Sequence, residues 1–331
     1  MVATMRAAAI RIVSLFALLG ALPALAVFLA SWHWVLDLAA CFVVQSLWGL
    51  LLAAGALATL GAPRRAAACA GGALLAALGA VPDWCRALPM ASEHLPAGTP
   101  AAGAVAPPAI RVLALNLLRG NEAHLADALA VVRAEQPDVV FCSEVTPRWC
   151  QGLKEGLVEF PHRHLAPDPG YYGVALFSRL PLSTTRTLGL PETWAPALLA
   201  VVEAGGSQRL GLLGVHTPRP GDGERNRLRD EALAAIPAAV RELPPAHLVI
   251  GDHNATPWNP ALRALLKDGG LRPATFADWL PTWPTQWPLP LRIPIDHAFV
   301  GPGLEVLDVH TGAAFGSDHL PLCVTVRAIT Q

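Results

Sequence analysis

Residues 247–260 read HLVIGDHNATPWNP. The apolar run at 248–250 predicts a buried β-strand, and a glycine and then Asp252, His253 and Asn254 follow it. Strand ends on a rigid scaffold are places where reactive side chains are presented. A single Asp after a strand is more often a turn residue or a helix cap. Whether Asp252 is a functional residue therefore depends on which residues follow the other predicted strands.

Five other segments of the same part of the chain combine an apolar run with polar residues. They are IRVLALN, which ends in Asn116; DVVFCSE, which ends in Glu144; LGLLGVH, which ends in His216; IPIDHAFV, which contains Asp296; and GSDHLPL, which holds Asp318 and His319 before the last strand. Carboxylate, amide and imidazole groups bind cations or move protons. Six such placements in one domain are hard to explain as turns, so we predict that these residues form one polar site.

Short apolar runs alternate with amphipathic stretches after residue 110, which predicts an α/β fold. Helical spacing predicts helices at 122–134 and 226–241. The segments that we predict as strands are 110–116, 139–143, 173–178, 197–203, 209–215, 246–251, 295–300, 304–310 and 320–328. Nine strands are too many for a simple alternating sheet with three or four helices. We therefore predict two mixed β-sheets packed face to face with flanking helices, a four-layer α/β sandwich.

The first 85 residues have a different composition, with only four Lys or Arg and two Asp or Glu. The stretches 12–36 and 38–63 are uncharged, and each exceeds the ~20 residues that cross a membrane as a helix. A third stretch, 66–82, has 17 residues and is marginal in length. We predict a membrane anchor with about three transmembrane helices in residues 1–85.

The basic residues of this region predict its orientation. Arg6 and Arg11 precede the first stretch, and Arg64 and Arg65 lie between the second and the third. The positive-inside rule places both pairs in the cytoplasm. An odd number of spans then predicts a multi-pass protein of the inner membrane, with everything after residue 84 on the periplasmic or extracytoplasmic side. A cleaved signal peptide that ends near residues 24–26 is the alternative.

Residues 86–109 are rich in Pro, Ala and Gly and have no hydrophobic period, so we predict a linker that leads to a folded domain at 110–331.

Residues 86–331 hold 20 basic and 23 acidic residues, which predicts no strong basic patch for nonspecific nucleic-acid binding. Disorder is excluded because 53% of the chain is hydrophobic and 15% is charged. No cysteine spacing is typical of zinc, and none indicates a disulfide.

The ordered motifs resemble those of the endonuclease/exonuclease/phosphatase superfamily over residues 110–328. GDHNATPWNP is similar to that family's GD-x-N motif, and GSDHLPL to its closing S-D-H-x-P-L. FCSEV resembles the family's strand that ends in a metal-binding Glu, and YYGVALFSRLPL resembles another of its strands. The TPWNP and RIPIDH stretches are similar to those of membrane-anchored bacterial members.

The resemblance implies hydrolysis of a phosphate ester assisted by Mg²⁺ or Mn²⁺. Glu144 is then the principal metal ligand, supported by Asn116, and Asp318 completes the metal environment. Many relatives carry a second polar residue where this chain has Leu118, which implies a thinner shell of ligands around the metal.

The resemblance also implies catalytic roles. Asp252 orients and deprotonates the attacking water, and Asn254 holds that water or a phosphate oxygen. His319 binds the scissile phosphate, with its tautomer fixed by Asp296. His216 supplies a second phosphate donor or a proton for the leaving oxygen.

Residues outside these motifs suggest substrate contacts. Arg219 follows His216 and is a candidate for phosphate contact. The Pro- and Trp-rich segment 273–294 predicts an extended loop whose Trp283 contacts the substrate or packs the loop onto the domain. His253 replaces the usual apolar residue of its motif, and we predict a hydrogen-bonded core histidine.

The sequence thus predicts a membrane-tethered, metal-dependent hydrolase of phosphoric esters. We expect a phosphodiesterase, a class that includes nucleases. Its substrate is a phosphate ester of a nucleic acid, a lipid headgroup or a small molecule. The alternatives are a lipid or inositol-phosphate phosphatase or a sphingomyelinase-like enzyme, and a non-catalytic binding protein that keeps the fold. A transporter is disfavoured because the predicted spans hold no ionisable residue except His33 near an interface.

Overall fold

A computed structural model describes residues 1–81, 107–190, 193, 195–205, 208–274 and 280–329. The predicted linker lies outside the described residues up to position 106, and so do Trp279 and Cys85. The described residues divide into two compact units. One comprises Met1–Ala87 with Thr256–Pro260, and the other comprises Leu88–Ala255 with Ala261–Gln331.

The first unit is helical. Its helices are α1 (Val2–Ala26), α2 (Trp34–Ala40), α3 (Val43–Thr59) and α4 (Pro63–Ala80). Within the described part of the chain, α1 has the length and hydropathy to cross a membrane, and α2 with α3, bent by 61°, makes a second span if the pair acts as one. A signal sequence near the N-terminus would have the same length and hydropathy as α1. The helix α4 is not long and apolar enough by the same measure. The three spans and their orientation therefore stay predictions.

Two contacts bring basic side chains of this unit to its other helices. Arg6 Nε donates to the carbonyl oxygen of Leu60, which follows α3, over 2.7 Å. Arg65 Nη1, at the start of α4, donates to Ser14 Oγ on α1 over 3.0 Å. The beginning of α1 therefore lies beside the connection between α3 and α4.

The described residues of the second unit form twelve strands in two sheets. The strands are β1 (Ala109–Asn116), β2 (Val139–Ser143), β3 (His162–Ala166), β4 (Val174–Ser178), β5 (Leu182–Gly189), β6 (Pro196–Glu203), β7 (Arg209–His216), β8 (His247–Asp252), β9 (Arg272–Pro273), β10 (Asp296–Val300), β11 (Leu304–Thr311) and β12 (Leu322–Ala328). The first sheet has the order β11-β12-β1-β2-β4-β3, and the second has the order β5-β6-β7-β8-β10-β9. Each sheet has one parallel pair, β1 with β2 and β7 with β8, among antiparallel neighbours, so both sheets are mixed.

Four helices accompany these strands. They are α5 (Leu125–Glu135), α6 (Pro147–Gly156), α7 (Gly223–Val240) and α8 (Pro260–Gly269). A buried cluster that includes Val112, Phe141 and Leu212 joins strands of both sheets. A second cluster packs the other face of the first sheet against α5 and α6. The predicted fold of two mixed sheets with flanking helices is confirmed.

All nine predicted strands are present, with bounds that differ by no more than two residues. The helix predicted from residue 226 begins at Gly223, because Asp222 Oδ1 accepts the amide hydrogen of Arg225 and caps the helix. Within the described residues 280–294, the predicted loop holds a 3₁₀ turn at Leu289–Leu291 and an isolated bridge from Trp283 to Ile293. This part of the segment is a loop as predicted, but it folds back on itself between Trp283 and Ile293 and is not extended throughout.

Candidate active site

Strand register brings the predicted polar residues to one end of each sheet. Asn116 ends β1 and pairs with Ser143, the last residue of β2. In the second sheet, Asp252 ends β8 and has His216 opposite it on β7 and Asp296 opposite it on β10. Three site residues of the second sheet therefore stand side by side.

Asn116 connects the ends of the two sheets. Its Nδ2 donates to Asp252 Oδ2 over 3.0 Å and to Glu144 Oε1 over 3.3 Å. Its Oδ1 accepts the amide hydrogen of Leu118 over 3.1 Å, which fixes the orientation of the side-chain amide. Position 118 thus supports the site through its backbone.

Glu144 has a left-handed backbone directly after β2, with φ +57°. Non-glycine residues rarely adopt this conformation, and where they do the reason is often functional. Its carboxylate is held by Asn116 on Oε1 and by the amide hydrogen of Arg119 on Oε2, over 2.8 Å. Asn254 also has positive φ, +47°, so two of the backbone outliers lie among the predicted site residues.

Gly251 lets the chain approach the site closely. Its φ is +136°, and a Cβ at this position would lie 2.1 Å from the carbonyl oxygen of Val215. Only glycine fits immediately before Asp252, which explains the glycine of the GDHN stretch.

Asp252 lies at the centre of the site. Its Oδ1 accepts the amide hydrogen of Asn254 over 2.8 Å, and its Oδ2 accepts Nδ2 of the same residue over 3.2 Å. The Nε2 atoms of His216 and His319 each lie 3.7 Å from Asp252 Oδ2. Burial raises the pKa of Asp252 to about 6, and the charge of His319 opposes that rise.

His319 and Asp296 form a buried pair. His319 Nδ1 lies 2.8 Å from Asp296 Oδ2, and Thr282 Oγ1 donates to the same oxygen over 2.5 Å. Burial alone would lower the pKa of His319, but the carboxylates of Asp296 and Asp252 outweigh it and raise the pKa to about 10. Burial would conversely raise the pKa of Asp296, and the facing imidazolium lowers it instead.

Asp318 is positioned by the proline-rich loop. Trp283 Nε1 donates to Asp318 Oδ2 over 3.0 Å, and the amide hydrogen of Thr285 donates to the Asp318 carbonyl over 2.9 Å. Asp318 Oδ1 lies 4.0 Å from His319 Nε2. The indole of Trp283 therefore orients a predicted metal residue, and its contact with substrate stays a prediction.

Arg219 and His253 differ in their relation to the site. Arg219 is exposed in the loop after β7, so its role in phosphate binding stays a prediction. His253 is fully buried, its Nδ1 lies 2.9 Å from the carbonyl oxygen of Gly251, and its ring meets Phe299 edge-on. Burial lowers the pKa of His253 to about 3. The prediction of a hydrogen-bonded core histidine is confirmed.

Four further residues around the site were given no role by the sequence analysis, although three of them lie within the quoted motifs. Thr282 holds Asp296, and Ser317 Oγ donates to the carbonyl of Asn116 over 2.7 Å. The two tyrosines of the chain, Tyr171 and Tyr172, are adjacent: the Arg119 guanidinium lies 4.8 Å from the Tyr171 ring, and the Tyr172 ring lies 5.9 Å from that of His216. The available sequence signals were the serine of GSDHLPL and the aromatic pair directly before the GVALFS strand.

The site fits a divalent cation that prefers oxygen ligands. Glu144 and Asp318 supply carboxylate oxygens, the donors that Mg²⁺ or Mn²⁺ prefers, and Asn116 Nδ2 holds the Glu144 carboxylate in place. Asp252, Asp296 and His319 also lie close enough together to hold an ion. We assign that trio to hydrogen bonding, since Asp296 Oδ2 already accepts from both His319 and Thr282.

Fold and site together define an α/β sandwich of the DNase I-like class, with carboxylate, amide and imidazole groups at the ends of both sheets. Residues 113–319 match the model of the Endonuclease/Exonuclease/phosphatase family, so the chain belongs to this family, whose members are phosphoester hydrolases. The similarity to membrane-anchored members stays a prediction. A comparison with curated proteins found no match.

Solved structures share the fold. The endonuclease/exonuclease/phosphatase from Beutenbergia cavernae is 20% identical and superposes with a TM-score of 0.54 over 66% of this chain and 72% of its own. D. rerio TDP2, complexed with single strand DNA product, is 21% identical with a TM-score of 0.54 over 66% of this chain and 99% of its own. The Bacteroides vulgatus protein is 18% identical with a TM-score of 0.56 over 67% and 99%.

Proposed function

We propose that this chain is a membrane-tethered, divalent-metal-dependent phosphodiesterase that acts outside the cytoplasm. The observation that carries the activity is the position of Asp252, whose Oδ2 lies 3.7 Å from the imidazoles of both His216 and His319. A carboxylate between two imidazoles, at the end of a rigid strand, provides a base beside two groups that bind phosphate oxygens or donate protons.

Asp252 acts as the general base in this proposal. With a pKa near 6 it is ionised at neutral pH, yet it is basic enough to accept a proton from water. Amide groups of Asn116 and Asn254 donate to Oδ2, so the carboxylate cannot rotate away from the water that it deprotonates. A cation bound by Glu144, Asn116 and Asp318 would neutralise phosphate charge and polarise the ester.

His319 stabilises negative charge on the phosphate. Because its pKa is raised to about 10, the imidazole is positively charged at neutral pH. Asp296 accepts from Nδ1, which fixes the ring and directs Nε2 towards the Asp252 side of the site. His216 Nε2 lies on the other side of the same carboxylate, where it can donate a proton to the leaving oxygen.

The residues around Glu144 favour an ester with an aromatic group. Arg119 donates its amide hydrogen to Glu144, and its guanidinium lies over the exposed ring of Tyr171. Exposed aromatic and guanidinium groups stack with nucleobases and other aromatic rings, each stack contributing ~1–3 kcal/mol. The net charge of −3 in residues 86–331 disfavours long duplexes held by many phosphate contacts. We therefore infer a short or single-stranded diester as substrate.

A substrate panel tests the activity. The full chain in detergent micelles is given a nitrophenyl phosphodiester, the matching monoester, a short single-stranded oligonucleotide, a duplex, and phospholipid vesicles, with Mg²⁺, Mn²⁺ or EDTA. We expect metal-dependent cleavage of the diester and the oligonucleotide above that of the monoester. Asp252→Asn is the matched inactive control. If the lipid were cleaved in preference, the substrate class would be a phospholipid instead. If no ester were cleaved in a metal-dependent way, the proposed activity would be refuted.

The location rests on the helical unit. Arg6 is bonded to Leu60, so the N-terminal basic residues and the basic connection between α3 and α4 lie near each other, as one cytoplasmic end requires. α4 begins at that end, and the proposal takes it to cross the membrane so that the following chain lies outside the cytoplasm. Alkaline phosphatase fused after residue 100 should be active, and green fluorescent protein fused at the same position should not fluoresce. The reverse pattern would place the hydrolase domain in the cytoplasm.

A further inference from the structure

Three side chains with metal-binding chemistry meet outside the candidate active site. They are Glu135 at the end of α5, His310 on β11 and Cys323 on β12, and one ligand atom of each lies within 4.8 Å of the others. We propose that Glu135, His310 and Cys323 form a zinc site that fastens the edge strand β11 and its neighbour β12 to the end of α5. Thiolate, imidazole and carboxylate are the protein ligands of Zn²⁺, and three of them leave one tetrahedral position for water.

Strand register places two of the three ligands. His310 and Cys323 are direct partners in the antiparallel pair of β11 and β12, and the side chains of such partners point to the same face. A bulge supports this arrangement, since Val306 pairs with Val326 whereas Asp308 pairs with the next residue, Thr325. The extra residue turns His310 and Asp308 towards the helices, while Val309 packs in the core between the sheets.

His310 is oriented as a metal ligand. Its Nδ1 lies 2.7 Å from Asp308 Oδ2, and its Nε2 lies 2.9 Å from Glu135 Oε2. Metal-binding histidines commonly donate one ring nitrogen to a carboxylate, which fixes the tautomer and leaves the other nitrogen for the metal. Asp308 therefore acts as the supporting carboxylate, and Nε2 faces the carboxylate of Glu135.

Glu135 is held in place by its backbone. Arg111 Nη1 donates to the Glu135 carbonyl oxygen over 2.8 Å, so this guanidinium bonds the main chain and the carboxylate remains directed at His310. Glu135 is the last residue of α5, where the chain turns into a left-handed Gln136. The third ligand thus comes from a helix end that is itself fixed to β1.

Charge also favours a cation at this position. Cys323 is fully buried, and burial, followed by the Glu135 carboxylate, raises the pKa of its thiol to about 12. Both ring nitrogens of His310 face carboxylates, and the Glu135 hydrogen bond raises the pKa of this imidazole. Zinc binding forms Zn–S, Zn–N and Zn–O bonds and releases to solvent the proton of the thiol together with any proton on His310 Nε2.

No spacing in the sequence reveals this cluster, because its members come from positions 135, 310 and 323. The side chain of His310 is 40% exposed, so zinc can enter from solvent.

Metal titration of the full chain in detergent micelles tests the site. The protein is stripped with a chelator, saturated with Mg²⁺ to occupy the catalytic centre, and titrated with Zn²⁺ against a chromophoric chelator. Co²⁺ is added in parallel, because a thiolate ligand gives it a charge-transfer absorption. We expect one Zn²⁺ per chain and that absorption. Asp308→Asn should weaken binding ~10–100-fold, the usual cost of losing the supporting carboxylate.

Matched variants assign the ligands. Cys323→Ala and His310→Asn should each abolish tight zinc binding and the cobalt absorption. Cys142→Ala removes another fully buried thiol of the same core cluster and should bind zinc normally. Glu144→Gln should also bind it, which separates this site from the catalytic one. His310→Asn changes a side chain that is 40% exposed, so it gives a folded variant even if Cys323→Ala does not.

Two outcomes would overturn the proposal. One is the absence of zinc bound at micromolar concentration, which would leave His310 as a proton-bearing bridge between two carboxylates. The other is zinc binding that persists in His310→Asn or that disappears in Cys142→Ala. Neither outcome bears on the proposed hydrolase, because the measurement is of binding and His310 lies outside the residues proposed for catalysis.

Discussion

Nδ1 of His319 lies 2.8 Å from Oδ2 of Asp296, and the two residues come from different sheets of the domain. Asp296 begins β10 of the second sheet, whereas His319 precedes β12 of the first. The bond from Asn116 to Asp252 connects the sheets in the same way. The geometry of the candidate active site therefore depends on how the two sheets pack, and changes in the core between them should alter activity.

Removal of either central group should affect the chemical step more than substrate binding. We expect Asp252→Ala and His319→Ala each to lower kcat ~10²-fold or more, the scale of losing a positioned base or a charge-stabilising group. KM should stay within a few-fold, because both side chains act mainly in the transition state. Steady-state kinetics with the preferred diester measures both constants.

Asp296→Asn should have a smaller effect on kcat, because the imidazole stays in place and loses only its charged partner. His253→Ala is the control, since His253 is buried behind the site and packs against Phe299. It should lower the melting temperature more than kcat. If His253→Ala abolished turnover in a folded protein while His319→Ala did not, the site would have to be redrawn around the GDHN loop.

Metal dependence should follow the oxygen ligands. We expect EDTA to abolish turnover and Mg²⁺ or Mn²⁺ to restore it, because Glu144, oriented by Asn116, and Asp318 offer carboxylate oxygens to a hard cation. Glu144→Gln should raise the Mg²⁺ concentration for half-maximal activity at least ~10-fold, since the variant loses a charged ligand. Full turnover in EDTA would contradict the prediction.

The loop tryptophans provide a finer test. Trp283→Phe removes the hydrogen bond to Asp318 Oδ2 and should raise the Mg²⁺ requirement by a few-fold, with little change in kcat at saturating metal. Trp287→Phe changes the neighbouring ring, 6.5 Å away, and is the matched control. An equal change of Mg²⁺ requirement in both variants would show that loop packing, rather than the bond to Asp318, is responsible.

The residues of the site were predictable because each follows or begins an apolar run. Asn116, His216 and Asp252 are the last residues of their strands, so the sequence pattern places them directly. Thr282 was not predictable, because its hydroxyl reaches Asp296 from an irregular loop, and that contact exists only after the loop has folded. The role of Leu118 was equally hidden, since its backbone rather than its side chain supports Asn116.

The unpredicted parts of the fold are those whose side chains are polar or half-exposed. β5 reads LSTTRTLG at the edge of the second sheet and is largely exposed, so no apolar run marks it. β3 reads HRHLA and is half-buried at the edge of the first sheet. A strand at an edge needs to bury less apolar surface than a central one, and edge strands often carry charged residues. Periodicity therefore detects central strands better than edge strands.

The pH dependence of stability should report the buried His319. Its pKa is about 10 in the folded protein and 6.5 as the ordinary value, so the folded state holds a proton that the unfolded state releases as pH rises. The stabilisation is complete below pH 6.5 and is lost as pH rises through about 10, with a slope of up to ~1.4 kcal/mol per pH unit. Thermal unfolding in EDTA between neutral and alkaline pH measures it. His319→Gln cannot titrate, and its melting temperature should fall less over this range. Parallel pH curves for the two proteins would show that His319 is neutral in the folded state.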